Sequence, residues 1–349
     1  VSIREVAAAA AVSVGTVSNV LNSPEKVSPA TVARVQAAID ALGFVRNDAA
    51  RQLRAGRSRS VGLVVLDVGN PFFTDIARGA GARAADHRLT LLLATSDDDP
   101  RRERSHIDAF AEQRVFGLLV SPIGDDFDRL ETLRRRGTPV VLVDRDGAGT
   151  EFDSVAVDDI AGGTLAAEHL AAIGRRRIAF VGGSPELRQV RDRLQGARDT
   201  LARVPGAGLE VIPTAALTIA AGSAVGRQIL DRPPAQRPDG IFCANDLLAL
   251  GVLQTLTVFG GLAVPGDIAL VGYDDIEFAG SAVVPLTSVR QPRIQIGCTA
   301  IDLLIEAAAA ETRRPNHVLF GPELVVRLST GGATPAGAPG RAAARRWRS

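Results

Sequence analysis

Ser13-Val14-Gly15-Thr16-Val17-Ser18-Asn19-Val20-Leu21-Asn22 reads as a short helix entered through a serine. Ser13 is a natural N-cap, and Val17, Val20 and Leu21 recur behind it at helical spacing. Upstream, Ser2 with Glu5 three residues later forms a capping-box pattern, and Ile3, Val6 and Ala7 make an apolar stripe. Downstream, Ser28-Pro29 places a cap before a proline suited to the first helical turn. Val32, Val35, Ile39 and Leu42 then carry a stripe that stops at Gly43. Three short helices around one small core predict an all-α helix-turn-helix head over residues 1–46. The second helix of such a head can enter the major groove of DNA.

Beyond the head, Asn47-Asp48-Ala49-Ala50-Arg51-Gln52-Leu53-Arg54 and the basic Arg57-Ser58-Arg59-Ser60 predict a hinge helix and linker over residues 47–60. The pattern then changes. Apolar runs at 61–66, 89–94, 116–120, 140–143, 178–181, 241–243 and 268–271 read as buried strands, with helical stretches at 74–87, 103–113, 160–173, 246–258 and 293–311 among them. That alternation predicts an α/β region of parallel sheets covered by helices. Seven or more strands over about 270 residues suit two lobes better than one. The expected core spans 61–330, with one lobe from 61–160 and 291–321 and the other from 161–290 and 322–330. Residues 331–349, rich in Gly, Ala, Pro and Arg, read as a disordered basic tail.

The charge is uneven. The whole chain carries a formal +1, yet residues 1–60 hold eight basic against four acidic residues, and the tail adds four arginines without an acid. A basic head on an acidic body suits a protein that touches DNA with one end. Lys26 is the one lysine among 40 basic residues, which points to codon bias. No apolar run approaches the length of a membrane span. Val1–Val6 lacks the basic region and apolar run of a signal peptide, so a cytoplasmic location is expected. The missing initiator methionine suggests a trimmed or non-ATG start. Cys243 and Cys298 stand far apart in apolar stretches and read as core residues, neither disulfide nor metal ligands.

In order and spacing, these residues resemble the lac-repressor (LacI/GalR) family of bacterial transcription regulators. The resemblance covers about residues 2–330. It is carried by Val12-Ser13 through Asn22, by Asn47 to Leu53, and by Asn70-Pro71-Phe72-Phe73 after the first strand. Asp144-Arg145, Arg193-x-x-Gly196, Ala244-Asn245-Asp246 and Val271-Gly272-Tyr273-Asp274-Asp275 complete it. It implies a homodimer or tetramer that binds a palindromic operator and a small effector, often a sugar, with an effector domain like a periplasmic sugar-binding protein.

In such a head the amino-terminal residues of the second helix read base edges. Here those are Val14, Gly15 and, one turn on, Asn19. Asn19 can pair bidentately with adenine, Val14 can touch only a thymine methyl, and Gly15 allows close approach. Ser13, Thr16 and Ser18 suit phosphates. The stretch around Asn47 and Arg54 is too short to be a stable helix alone. Paired in a minor groove, two copies could hold, with Leu53 as a wedge between base pairs and Ala50 beside it. The alternative for Leu53 is packing on the protein body. Two departures from the family pattern stand out: Ala11 in the first turn, where glycine is frequent, and Arg46, where proline is frequent before the hinge.

By the same resemblance the effector pocket takes Phe72, Phe73 and Asp144 from one lobe and Arg193, Leu217, Asn245 and Asp274 from the other. Carboxylates, an arginine fork, a carboxamide and an aromatic face form a set that grips a hydroxylated ring. Phe72 and Phe73 are adjacent, so one of them is expected to face the cleft. Leu217 replaces an aromatic platform and weakens the usual sugar reading. Asp144 and Asp274 have the alternative of capping turns, and Arg193 that of pairing with Glu186 or Asp192. Asp97-Asp98-Asp99-Pro100 reads as a helix entry in preference to a metal site. Gly162-Gly163 and Gly182-Gly183 lack phosphate-loop spacing. The four histidines form no catalytic set, and no cofactor is expected. The chain therefore reads as a sequence-specific, effector-controlled repressor and not an enzyme. An effector-dependent activator, or a sugar-binding receptor without a DNA role, is the alternative.

Overall fold

The capping box predicted at the first helix is closed: Ser2 Oγ accepts from the Glu5 amide at 3.4 Å and Glu5 Oε2 accepts from the Ser2 amide at 2.5 Å. Helix α1 runs Ile3–Ala9, α2 Val14–Asn22 and α3 Pro29–Leu42, with a 3₁₀ turn at Pro24–Lys26 between the last two. Ser13 Oγ caps α2 by accepting from the Thr16 amide at 3.0 Å. Gly43 ends α3 in a left-handed conformation, φ 60°. Ser28 behaves differently from the cap expected of it. Its hydroxyl donates to Thr31 Oγ1 and makes no bond to a backbone amide. Val6, Ala7, Ala10, Val17, Val20, Val35 and Ala38 form the head's core.

The computed structural model describes residues 1–44, 58–184, 187–310 and 314–332. The hinge positions Asn47, Ala50, Leu53 and Arg54, and the tail beyond 332, lie outside the described residues. The chain divides into two units, Val1–Ser58 and Arg59–Ser349.

Among its described residues the second unit contains twelve strands: β1 Ser60–Val65, β2 Thr90–Thr95, β3 Gly117–Val120, β4 Val140–Val143, β5 Asp153–Val157, β6 Arg177–Gly182, β7 Gly208–Pro213, β8 Gly240–Cys243, β9 Ala269–Asp274, β10 Thr287–Arg290, β11 His317–Phe320 and β12 Glu323–Val325. Its helices are α4 Pro71–Asp86, α5 Pro100–Glu112, α6 Asp128–Arg135, α7 Asp159–Ala172, α8 Arg188–Leu201, α9 Ile219–Leu230, α10 Asp246–Gln254, α11 Glu277–Ser281 and α12 Arg293–Ala309. The strands form two six-stranded sheets, ordered β11-β5-β4-β3-β1-β2 and β12-β10-β9-β8-β6-β7.

All pairings are parallel except β10 with β12. The exception follows from the route of the chain. It passes from the first sheet to the second after β5, returns after β10, and passes again after β11. On the first two passages a helix carries it to the far end before the next strand. On the third only Gly321 and Pro322 intervene, so β12 begins where the other strands end and must run against them. The helix expected over 246–258 also stops early, at Gln254, and continues as a π turn over Thr255–Phe259. Among the described residues, no helix is long and apolar enough to cross a membrane.

Candidate functional site

In the head, the first turn of α2 faces solvent. Val14, Gly15 and Asn19 are exposed, while Val17 and Val20 point into the core. The Ser13 and Thr16 hydroxyls lie 2.9 Å apart, and Ser18 Oγ accepts from Asn22 Nδ2 at 3.2 Å. The Asn19 carboxamide makes no hydrogen bond among the described residues, so its donor and acceptor are both available to a base edge. Ala11, in the turn ahead of α2, sits at φ 48°, the left-handed conformation that a Cβ disfavours.

In the second unit the strand ends converge on a cavity of about 280 Å³. All seven pocket residues proposed from sequence line it: Phe72, Phe73, Asp144, Arg193, Leu217, Asn245 and Asp274. Phe72 and Phe73 both do so, against the expectation that one would turn away. Their rings meet edge to face at 5.0 Å, which lets two consecutive residues share one wall. Asn70 starts their helix, accepting from the Phe72 amide at 3.0 Å.

Arg193 is the centre of the charge arrangement. It is buried, with Nε on Asp159 at 2.8 Å, Nη1 on the Ala244 carbonyl at 2.7 Å and Asp274 at 3.9 Å. Its guanidinium lies 3.7 Å from the Tyr273 ring centre. Asp192, the partner proposed on the surface, pairs with Arg188 instead, and Glu186 lies outside the described residues. Two glycines bring it there. A Cβ at Gly163 would fall 2.0 Å from the Arg193 carbonyl oxygen, and one at Gly196 2.0 Å from that of Ile160. Only glycine lets α7 and α8 approach so closely, which sets Asp159 at the start of α7 against Arg193 on α8. Gly163 therefore serves helix packing, while Gly162 leaves room for Tyr273, whose hydroxyl a Cβ there would meet at 2.1 Å.

Burial raises the Asp159 carboxyl, with Arg193 opposing. It raises Asp144 well above the usual range, and repulsion from Asp159 adds to this. Asp274 is pushed up to about 6 by burial, with Arg193, Asn70 and Gln291 holding it down. Burial works against the charge of Arg193, but Asp159, Tyr273, Asp274 and Asp144 outweigh it and keep the guanidinium charged.

Asp144 and Asp274 sit at strand ends in positive-φ conformations, and both are buried. Gln189 on α8 reaches across to Asp144, donating from Nε2 to its carbonyl at 2.8 Å and to Oδ2 at 2.9 Å. Asn70 reaches the other way, to Asp274 Oδ2 at 3.2 Å. Asn245 caps α10 by accepting from the Leu248 amide, and donates to the Leu217 carbonyl at 3.1 Å. Its carboxamide thus fixes the Leu217 wall as well as facing the cavity.

The head matches the model described as "Bacterial regulatory proteins, lacI family" over residues 2–47, and residues 167–330 match a periplasmic binding protein-like domain. The chain is 33% identical to the ribose operon repressor of Escherichia coli (strain K12) over 333 residues, 94% of this chain and 99% of that one. It belongs to the LacI family. The HTH-type transcriptional repressor CytR of the same strain is 32% identical over 94% of this chain and 96% of its own. Among solved structures, the lac repressor dimer bound to operator and the anti-inducer ONPF aligns with TM-score 0.80 at 27% identity, covering 95% of this chain and 99% of that one. The cellobiose complex of the transcriptional regulator CelR aligns with TM-score 0.69 at 34% identity, covering 94% and 99%. As a LacI-family protein the chain is a DNA-binding transcriptional regulator and not an enzyme.

Some cavity residues of this LacI-family chain are not evident from the motifs. Asn70 stands inside a quoted motif, but its neighbouring phenylalanines draw the attention. Asp97 and Asp98 belong to the run read as a helix entry. Asp99 does cap α5, accepting from the Arg101 amide at 2.8 Å, yet its two predecessors line the cavity. Gln189 lies on α8, whose arginine-rich sequence hides its buried face. Asp159, which anchors Arg193 without lining the cavity, follows β5, a strand without a recognisable run of its own.

Proposed function

We propose that this chain is a repressor that binds a palindromic operator as a homodimer, one head per half-site, under the control of a small hydroxylated effector held in the cavity between the two sheets. The observation that carries the reading is the pairing of an exposed, serine-capped α2 with a buried Arg193–Asp274–Asp144 cavity in a single chain. Asn19 reads a base, Val14 and Gly15 allow close approach, and Ser13, Thr16 and Ser18 face phosphates. Asn47, Ala50, Leu53 and Arg54 act in the minor groove, and the linker 47–60 couples the head to the effector core at 61–330. The lobes of that core are taken as 61–160 with 291–321 and 161–290 with 322–330. The protein acts in the cytoplasm, where its DNA is.

The effector is monosaccharide-sized. At about 280 Å³ the cavity lies just below the ~300–1,000 Å³ of ligand pockets, and Phe72 and Phe73 offer a wall to a ring. A regulator from Enterococcus faecium solved with bound ribose is similar in fold, with TM-score 0.70 at 25% identity.

Leu53→Ala and Arg193→Ala separate the two activities. Fluorescence anisotropy on labelled operator should show Leu53→Ala weakening DNA binding more than tenfold while thermal shifts by sugars persist. Arg193→Ala should do the reverse. Equal loss of both activities in either variant contradicts the assignment.

A further inference from the structure

The cavity's charges do not balance. Asp67, Asp97, Asp98, Asp144 and Asp274 line it, and Arg193 is the one cation in that lining among the described residues. Arg193 is engaged by Asp159, and Asp274 by Asn70 and Gln291. Asp97 pairs with Arg102. Three carboxyl groups, Asp67, Asp98 and Asp144, then remain without a cationic partner. Asp67 Oδ1 accepts only from the Gly69 amide, at 2.7 Å. Asp98 makes neither a hydrogen bond nor an ion pair among the described residues. Asp144 is 4% exposed, and while its Oδ2 accepts from Gln189, its Oδ1 has no partner.

A buried acceptor left without a donor is costly, and a group of carboxylates in one cavity repels itself. A hydroxyl of a neutral sugar supplies one donor and no charge. A protonated amine supplies two or three donors together with the missing charge. We infer that the effector carries a protonated nitrogen, as an amino sugar or imino sugar does, set toward Asp98 and Asp144, with its hydroxyls toward Arg193 and Asp274. This rests on the reading of the cavity as the effector site. Asp98 stands on the solvent-exposed rim of the cavity, where partial desolvation and the neighbours Asp67 and Asp97 raise its carboxyl to about 6. A bound cation opposes that shift, so binding near pH 6 releases protons.

The test is calorimetry on the full chain near pH 6.5 with four pairs: glucosamine and glucose, galactosamine and galactose, mannosamine and mannose, and 1,4-dideoxy-1,4-imino-D-ribitol and ribose. The expected result is an amine that binds at least tenfold more tightly than its neutral counterpart, with that preference falling below about threefold in Asp98→Asn. A neutral sugar binding as tightly as its amine, or no amine binding at all, overturns the inference while leaving the cavity assignment intact. Amine binding that survives both Asp98→Asn and Arg193→Ala lies outside the cavity and overturns the cavity assignment itself.

Discussion

Asn70 and Asp274 meet at 3.2 Å, although one caps the helix that follows β1 in the first sheet and the other ends β9 in the second. One side chain therefore caps α4 through Oδ1 and ties the sheets' ends together through Nδ2. The two roles are separable. Asn70→Ser keeps a capping oxygen and loses the tie, whereas Asn70→Ala loses both. Chemical denaturation should show the alanine variant about 1 kcal/mol less stable than the serine variant. Both variants should show a larger radius of gyration by X-ray scattering than the parent chain. Identical stabilities would mean that the cap contributes nothing.

The Asp274 carboxyl sets a pH dependence of unusual sign. Its folded pKa of about 6 lies above the ordinary 3.8, so the native state holds this proton more tightly than the unfolded chain. Its contribution to stability is fully present below about pH 4, is lost as pH rises to about 6, and is flat above that. A rise from 3.8 to about 6 corresponds to at most about 3 kcal/mol. Asp274→Asn removes this contribution. Urea titrations from pH 4 to 7 should therefore show a flatter stability profile in the variant, and an unchanged slope would contradict the assignment.

Ala11 is strained where glycine would not be. At φ 48° the substitution Ala11→Gly should stabilise the head by about 0.5–1 kcal/mol. Hydrogen exchange on the full chain reads this directly: the buried Val17 and Val20 amides should exchange up to about fivefold more slowly. Faster exchange would mean that the entropy glycine adds to the unfolded chain outweighs the relief of strain.

The fold was legible where local rules act alone. The capping box at Ser2 and Glu5, the Ser13 cap and the Gly43 stop are each decided within four residues. Strands β1, β3, β4, β8 and β9 are buried in their sheets and read as unbroken apolar runs. Among the edge strands, β2 shows its apolar run although it is half-exposed and not buried as expected, but β7 and β11 are different. β7 holds Glu210 and Pro213 and is mostly exposed, and β11 alternates its exposure, so neither shows such a run. Helices α6 and α8 bury narrow faces under arginine-rich sequence.

The cavity divides in the same way. Strand-end motifs pointed to Asp144, Asn245 and Asp274. Gln189 and Asn70 enter, and Asp159 holds Arg193 from behind, through contacts between residues 45, 204 and 34 apart in sequence, which no local pattern encodes.

The most direct test of a sequence-reading regulator is selection of duplexes from a randomised pool by the full chain, with Asn19→Ala selected in parallel. The parent chain should enrich a palindrome. The variant should lose about 1–3 kcal/mol on it and relax one symmetric pair of positions, leaving the rest of the site unchanged. Failure of the parent chain to enrich any palindrome, or a loss in the variant that is uniform across all sequences, would contradict the account.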